Sequence, residues 1–201
     1  GDYVSSVAWG DCNGDGDLDF FAGTAAENRI YINSSTEFSV VWSSTETDDT
    51  TGGAWGDYDN DGDLDLVTSA SGAADRVYKN AGAGSYTLAW SSESSDDSRS
   101  ATWGDFDNDG DIDILTAGYD KSNRVYENSG NSIFSLSWSS QEEDGTMDAR
   151  WGDFDYDGDL DVLAGNSTAD MIYSNDGDGS FSALWTSSQS STHSSCAVPA
   201  D

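Results

Sequence analysis

Basic residues are scarce in this chain: 7 Lys and Arg stand against 39 Asp and Glu, a net charge of −32 over 201 residues. That balance excludes nucleic acid and anionic membrane surfaces as partners, since both repel so acidic a chain. Histidine is scarcer still. His193 stands alone, no acid pair can be distinguished outside the acidic loops, and no enzyme activity is expected. Proline appears once, at Pro199, and no stretch keeps a 3.6-residue apolar period, so helices should be minor. No run of 18 apolar residues exists to insert into a membrane. The opening GDYVSSVAWGD lacks the charged and apolar regions of a signal peptide, so the chain reads as a mature or excised segment whose export signal, if any, has been removed.

Cysteine is limited to Cys12 and Cys196. A bridge between them would close a loop of 184 residues (196 − 12) and stabilise by about 5 kcal/mol in the chain-entropy model. Two buried free thiols are the alternative.

What the chain has in abundance is one phrase. WGDCNGDGDLD from Trp9, WGDYDNDGDLD from Trp55, WGDFDNDGDID from Trp103 and WGDFDYDGDLD from Trp151 recur at intervals of 46, 48 and 48 residues. A fixed internal period takes precedence over length as a guide to architecture. It divides a single domain, 1–201, into repeats of about 1–46, 47–94, 95–142 and 143–190. Residues 191–201 form the start of a fifth repeat or a closing strand, since CAVPAD aligns with the segment before each acidic loop.

Each repeat contains the same four apolar segments. Strand A ends in Trp-Gly and enters the acidic loop. Strand B follows (LDFFAG, LDLVTS, IDILTAG, LDVLAG), rich in β-formers and expected to be buried on both faces. Strand C is NRIYIN, DRVYKN, NRVYEN or DMIYSN, and a short Gly-rich link of hairpin type leads to strand D, FSVVWS, YTLAWS, FSLSWS or FSALWT. Four antiparallel strands per unit, with Gly and aromatics at fixed places, are the pattern of a β-propeller blade. The expected fold is all-β, either a closed four-bladed propeller or part of a larger propeller or assembly. The eight Trp, two per repeat, are expected between blades.

Within each loop, oxygen-bearing side chains occupy positions 1, 3, 5, 7 and 9, with Gly at 6. They are Asp11, Asn13, Asp15, Asp17 and Asp19; Asp57, Asp59, Asp61, Asp63 and Asp65; Asp105, Asp107, Asp109, Asp111 and Asp113; and Asp153, Asp155, Asp157, Asp159 and Asp161. Alternate oxygens converge when the chain curls, and the Gly supplies the positive φ of the turn. An all-oxygen donor set without His or Cys favours calcium, one ion per loop and four in all. Position 7 would contribute its carbonyl and turn its carboxylate to solvent. Position 8 (Leu18, Leu64, Ile112, Leu160) would turn inward. The first loop, with Asn13, is expected to bind most weakly.

An EF-hand would close with Glu at position 12, where this chain has Ala22, Thr68, Thr116 and Ala164. The loops instead match DxDxDGxxD, and the chain resembles the FG-GAP or VCBS repeats of integrin α-subunit propellers and secreted microbial proteins. The resemblance implies a calcium-bearing β-propeller of extracellular adhesion and binding proteins. It departs in blade number, four here against a common seven.

Arg29, Arg76 and Arg124 share one position, where Met171 replaces them, and are expected to serve as internal charge partners. Asn33 and Asn166 begin N-x-[ST] triplets and are candidate glycosylation sites. The function expected is extracellular binding or adhesion, calcium being structural. A protein or glycan ligand would meet the face opposite the calcium loops, around Glu27, Tyr119, Asp120 and Lys121. The alternative is a structural unit joined head to tail into a filament or larger propeller. A polysaccharide-active enzyme ranks third.

Overall fold

A computed structural model describes residues 3–82, 84–130, 133–177 and 179–188. It shows sixteen strands in four antiparallel four-stranded sheets, each ordered as in the sequence. The first blade is β1 (Val4–Gly10), β2 (Asp19–Thr24), β3 (Arg29–Asn33) and β4 (Phe38–Ser43). The second is β5 (Asp49–Gly56), β6 (Asp65–Ser71), β7 (Arg76–Asn80) and β8 (Tyr86–Ser91). The third is β9 (Ser98–Gly104), β10 (Asp113–Gly118), β11 (Arg124–Asn128) and β12 (Phe134–Ser139). The fourth is β13 (Thr146–Gly152), β14 (Asp161–Asn166), β15 (Met171–Asn175) and β16 (Phe181–Thr186). Among the described residues there is no helix.

The inner strands β1, β5, β9 and β13 all border one central cavity of about 260 Å³, lined by Ser6, Thr51, Ser100 and Asp148 among others. The second strand of each blade is buried along nearly its whole length, as its continuous apolar run requires. Register repeats as well. In every blade the pairing of the third and fourth strands slips at one place, at Ile30/Tyr31, Val77/Tyr78, Val125/Tyr126 and Ile172/Tyr173.

Three contact patterns recur between neighbouring blades, although Trp151 Nε1 is buried without a hydrogen-bond partner at the third junction. The inner-strand Trp reaches back: Trp55 Nε1 donates to Ala8 O at 3.2 Å and Trp103 Nε1 to Ala54 O at 3.1 Å. The Gly after each Trp makes room for the following indole, because a Cβ on Gly10, Gly56 or Gly104 would lie 2.8, 2.6 or 2.5 Å from the rings of Trp55, Trp103 and Trp151. That close approach is the physical reason for the recurring Trp-Gly pair. The Asn ending the third strand donates to a carbonyl in the preceding blade's loop, Asn80 to Cys12, Asn128 to Tyr58 and Asn175 to Phe106, at 2.9, 2.8 and 2.7 Å. The outer-strand Trp reaches forward. Trp42 packs on Tyr78 and Tyr86, Trp90 on Tyr126 and Phe134, and Trp138 on Tyr173 and Phe181.

Two of the eight Trp depart from the between-blade expectation. Trp9 is 59% exposed and Trp185 50% exposed, because no blade precedes the first or follows the fourth among the described residues. Inner strands of consecutive blades pack together, and those of the first and fourth do not pack to a comparable extent. The ring is therefore not closed by the described residues.

Candidate metal loops and inter-blade grooves

The first three acidic loops curl around their position-1 carboxylates. Asp57 Oδ1 accepts from Asp61 N at 3.0 Å and its Oδ2 from Gly62 N at 2.9 Å. Asp11 and Asp105 do the same in their loops. The turn needs positive φ at two places, the position-6 Gly and position 4, where Gly14, Asn60, Asn108 and Tyr156 all have φ between 57° and 72°. Asn tolerates this region through its short polar side chain; Tyr156 occupies it at 91% exposure.

The curl gathers carboxylate oxygens. Oxygens of Asp57, Asp59 and Asp61, of Asp105, Asp107 and Asp113, and of Asp153, Asp155 and Asp161 lie within 4.8 Å of one another in each set. No set from the first loop, where Asn13 replaces an acid, meets that criterion among the described residues. One oxygen of Asp59 is buried without a hydrogen-bond partner. A dense, all-oxygen donor set with an unsatisfied buried carboxylate oxygen fits a hard divalent cation such as calcium.

Two loop positions do something the sequence does not announce. At position 9, Asp19, Asp65, Asp113 and Asp161 are fully buried. Each carboxylate clamps two backbone N–H groups, one at loop position 2 and one on the closing Asn of the third strand. For Asp113 these are Phe106 N at 3.0 Å and Asn128 N at 2.8 Å, and the other three repeat the pattern. Burial, only partly offset by those bonds, pushes the Asp65 and Asp113 carboxyls up to about 7.

At position 7, three of the four carboxylates expected to face solvent also meet a side-chain donor. Asp111 Oδ1 accepts from Asn60 Nδ2 and Asp159 Oδ1 from Asn108 Nδ2, each at 2.8 Å, so the loops are stitched blade to blade. Asp17 accepts from Ser35 Oγ at 2.7 Å. At position 8, Leu64, Ile112 and Leu160 pack inward as expected, but Leu18 is 58% exposed, with no blade before it among the described residues.

Away from the loops, a groove repeats at all three blade junctions. The first is lined by Trp42, Glu46, Tyr78, Tyr86 and Leu88, with a volume of about 240 Å³. Trp90, Ser94, Tyr126, Phe134 and Leu136 line the second, at about 540 Å³. The third, at about 560 Å³, has Trp138, Glu142, Tyr173, Phe181 and Ala183. Tyr78 Oη and Tyr173 Oη each donate to a linker Glu, Glu46 and Glu142, at 3.1 Å. The sequence signal for the grooves is present but indistinct: the outer-strand Trp reads as packing alone, and here it both packs and lines a concavity.

The remaining candidates fall as follows. Arg76 pairs with Asp48, Arg124 with Asp96 at 2.5 Å and Arg29 with Glu27 at 3.9 Å. Arg99 lies 4.6 Å over the Tyr119 ring. Cys12 is a buried free thiol in the place of Tyr58, Phe106 and Phe154, with Sγ donating to Asp19 Oδ2 at 3.2 Å; burial pushes it up to about 12. Cys196 and His193 lie outside the described residues. Asn166 is buried and its Nδ2 donates to Ala169 O at 2.7 Å, so a glycan there would have to displace that contact. Asn33 is half-buried, its Nδ2 3.3 Å from Leu18 O.

The model of the FG-GAP-like repeat matches residues 11–68, 67–116, 105–164 and 153–201. The chain belongs to the FG-GAP-like repeat family. Among curated proteins no match is found. Among solved structures, one of an Agrocybe aegerita lectin recognising non-reducing terminal N-acetylglucosamine is similar, with a TM-score of 0.59 and 18% identity. The match covers 89% of this chain and 50% of the lectin chain, so this FG-GAP-like chain spans about half the length of that structure. At that identity the likeness speaks for the fold alone.

Proposed function

We propose that this FG-GAP-like chain is an extracellular, calcium-stabilised binding or adhesion module without enzyme activity, whose ligand, a glycan or a protein, seats in the inter-blade grooves. The observation that carries the reading is the recurrence of one groove, aromatic on its walls and polar at its rim, at three successive junctions. An indole or phenol face suits the apolar face of a sugar ring, and Glu and Ser beside it supply acceptors and donors for hydroxyls. A glycan is the first ligand to test, as the ligand class named for the lectin of similar fold.

Since the fourth strand of each blade runs away from the acidic loops, the linker ends of the grooves lie on the side opposite them. Glu27, Tyr119, Asp120 and Lys121 extend that side. Calcium would be held by loop positions 1, 3, 5 and 9, with the position-7 carbonyl. It supplies charge neutralisation, and its binding adds to stability because the unfolded chain has no such site. An extracellular setting agrees with the calcium loops; a bridge from Cys12 to Cys196 would require the buried Cys12 thiol to leave Asp19.

A glycan array, followed by calorimetric titration of the glycan retained, tests the reading. The outcome expected is three sites per chain, one per groove. No retained glycan leaves protein adhesion as the form of the hypothesis, and hydrolysis of the glycan on the array removes the non-enzymatic assignment.

A second reading, head-to-tail self-association, is favoured by the two exposed ends. Trp9 and Phe38 on the first blade present the face that the second, third and fourth blades offer to their predecessors, while Leu184 and Trp185 present the opposite one. Such a contact is heterologous and can extend or close. Light scattering over a range of concentrations that returns a constant 21.3 kDa mass excludes it.

A further inference from the structure

The four loops are nearly identical, yet the third strand carries a different side chain at one register position in each blade. The residue before the closing Asn is Ile32, Lys79, Glu127 and Ser174 in successive blades, and each holds the same register, opposite Ser39, Thr87, Ser135 and Ser182. In the second blade Lys79 Nζ forms an ion pair with Asp59 and another with Asp61 Oδ2 at 3.0 Å. In the fourth, Ser174 Oγ donates to Asp155 Oδ2 at 2.8 Å. In the third, the same register holds Glu127, an acid where the second blade has a cation. The position therefore meets the loop ligands with a cation in the second blade and a neutral donor in the fourth, and carries an acid in the third and an apolar side chain in the first.

We propose that this third-strand residue grades the loops for calcium: Lys79 is a tethered counter-ion of the second loop, which takes calcium more weakly than the third loop, where Glu127 enlarges the negative field. The inference rests on the calcium reading of the loops. Lys79 occupies ligand oxygens that calcium would need, so the ion must displace it or bind against its charge, and close opposite and like charges act strongly across so few ångströms. Asn13 thus does not alone set the weakest site. The second loop keeps all its carboxylates and is weakened from outside itself, a feature invisible in the loop motif.

The test is calorimetric titration of calcium into the EDTA-treated chain and its variants, paired with melting temperatures. K79Q is expected to bind calcium at the second loop at least tenfold more tightly than the wild type, and D61N placed in the K79Q background is expected to abolish that gain. E127Q is expected to weaken one tight site about tenfold. Stability should change sign with the medium: K79Q melts lower than wild type in EDTA, where the acids lose their counter-ion, and no lower in calcium. Four equal sites in the wild type, or a K79Q chain unchanged in affinity and in both melting temperatures, overturns the grading alone. A wild-type chain that takes up no calcium overturns the calcium reading with it.

Discussion

The acidic loops and the inter-blade grooves are both repeated features, but they repeat differently. The loops keep DxDxDGxxD almost unchanged, with Asn13 the single departure at a ligand position. Across the grooves the aromatic frame is constant and the rim is not. Glu46, Ser94 and Glu142 occupy equivalent places, as do Leu88, Leu136 and Ala183. Constancy in the loops matches a holding task that is the same in every blade. Variation on a fixed aromatic frame is what a set of related but unequal binding sites needs.

Removing calcium should break the holding side of that comparison most severely. Chelation with EDTA is expected to lower the melting temperature steeply, each site that calcium saturates a hundredfold above its Kd contributing about 2.7 kcal/mol. An unchanged melting curve would leave the loops as solvated turns. Next in size is the aromatic frame. Trp138→Ala, which empties a packed junction, should cost roughly 3 kcal/mol, whereas Trp185→Ala, at the uncovered end, should cost less than about 1 kcal/mol in denaturant unfolding. Equal costs would mean that the fourth blade is covered after all.

A smaller effect concerns Asp75, at the base of the side away from the loops. It is buried, accepts from Ser98 Oγ at 3.0 Å and Ala70 N at 3.2 Å, and burial pushes its carboxyl up to about 7. A folded-state value above the unfolded one means that this group favours folding below about pH 4 and loses that contribution as pH rises toward 7. Of the equivalent residues Asn28 and Asn123 are amides and Asp170 is an acid, and Asn28 Nδ2 donates to Thr50 Oγ1 at 2.9 Å, in the place where Ser98 meets Asp75. Asp75→Asn is therefore expected to raise the melting temperature by a few degrees above pH 7 and to change it little at pH 4. A gain that is the same at both would contradict the assignment. Smallest of all, Asn108→Ala should cost about 1 kcal/mol by leaving Asp159 without its donor, while Tyr156→Ala, at the corresponding position of the fourth loop, should cost nothing measurable.

Much of this was legible in the sequence, because four copies of one phrase fix the period and alternation fixes the strands. The fourth strands begin and end where the FSVVWS-type segments do; the second strands begin one residue later than their apolar run, at the position-9 Asp. The loop motif also marks acids whose oxygens the fold gathers in the second, third and fourth loops. What it could not mark were the contacts between repeats. Asn60 and Asp111 are 51 residues apart, and nothing in either loop says that a position-4 amide in one blade meets a position-7 acid in the next. The same holds for Lys79, which belongs to a strand and reveals its role only when that strand is folded back beside the second loop. Trp9 and Trp185 show the converse limit: a repeat pattern assigns every copy the same environment, and the first and last copies do not have it.

The most direct test of the division between loops that hold and grooves that bind is a titration of calcium-loaded Ala183→Trp with the glycan that the wild type retains. Ala183 lines the third groove and is exposed, so the new indole fills that groove without removing any packing. The predicted result is a stoichiometry of two where the wild type gives three, with the affinity of the remaining sites and the calcium titration unchanged. Full wild-type stoichiometry in this variant would contradict the account and place the ligand elsewhere.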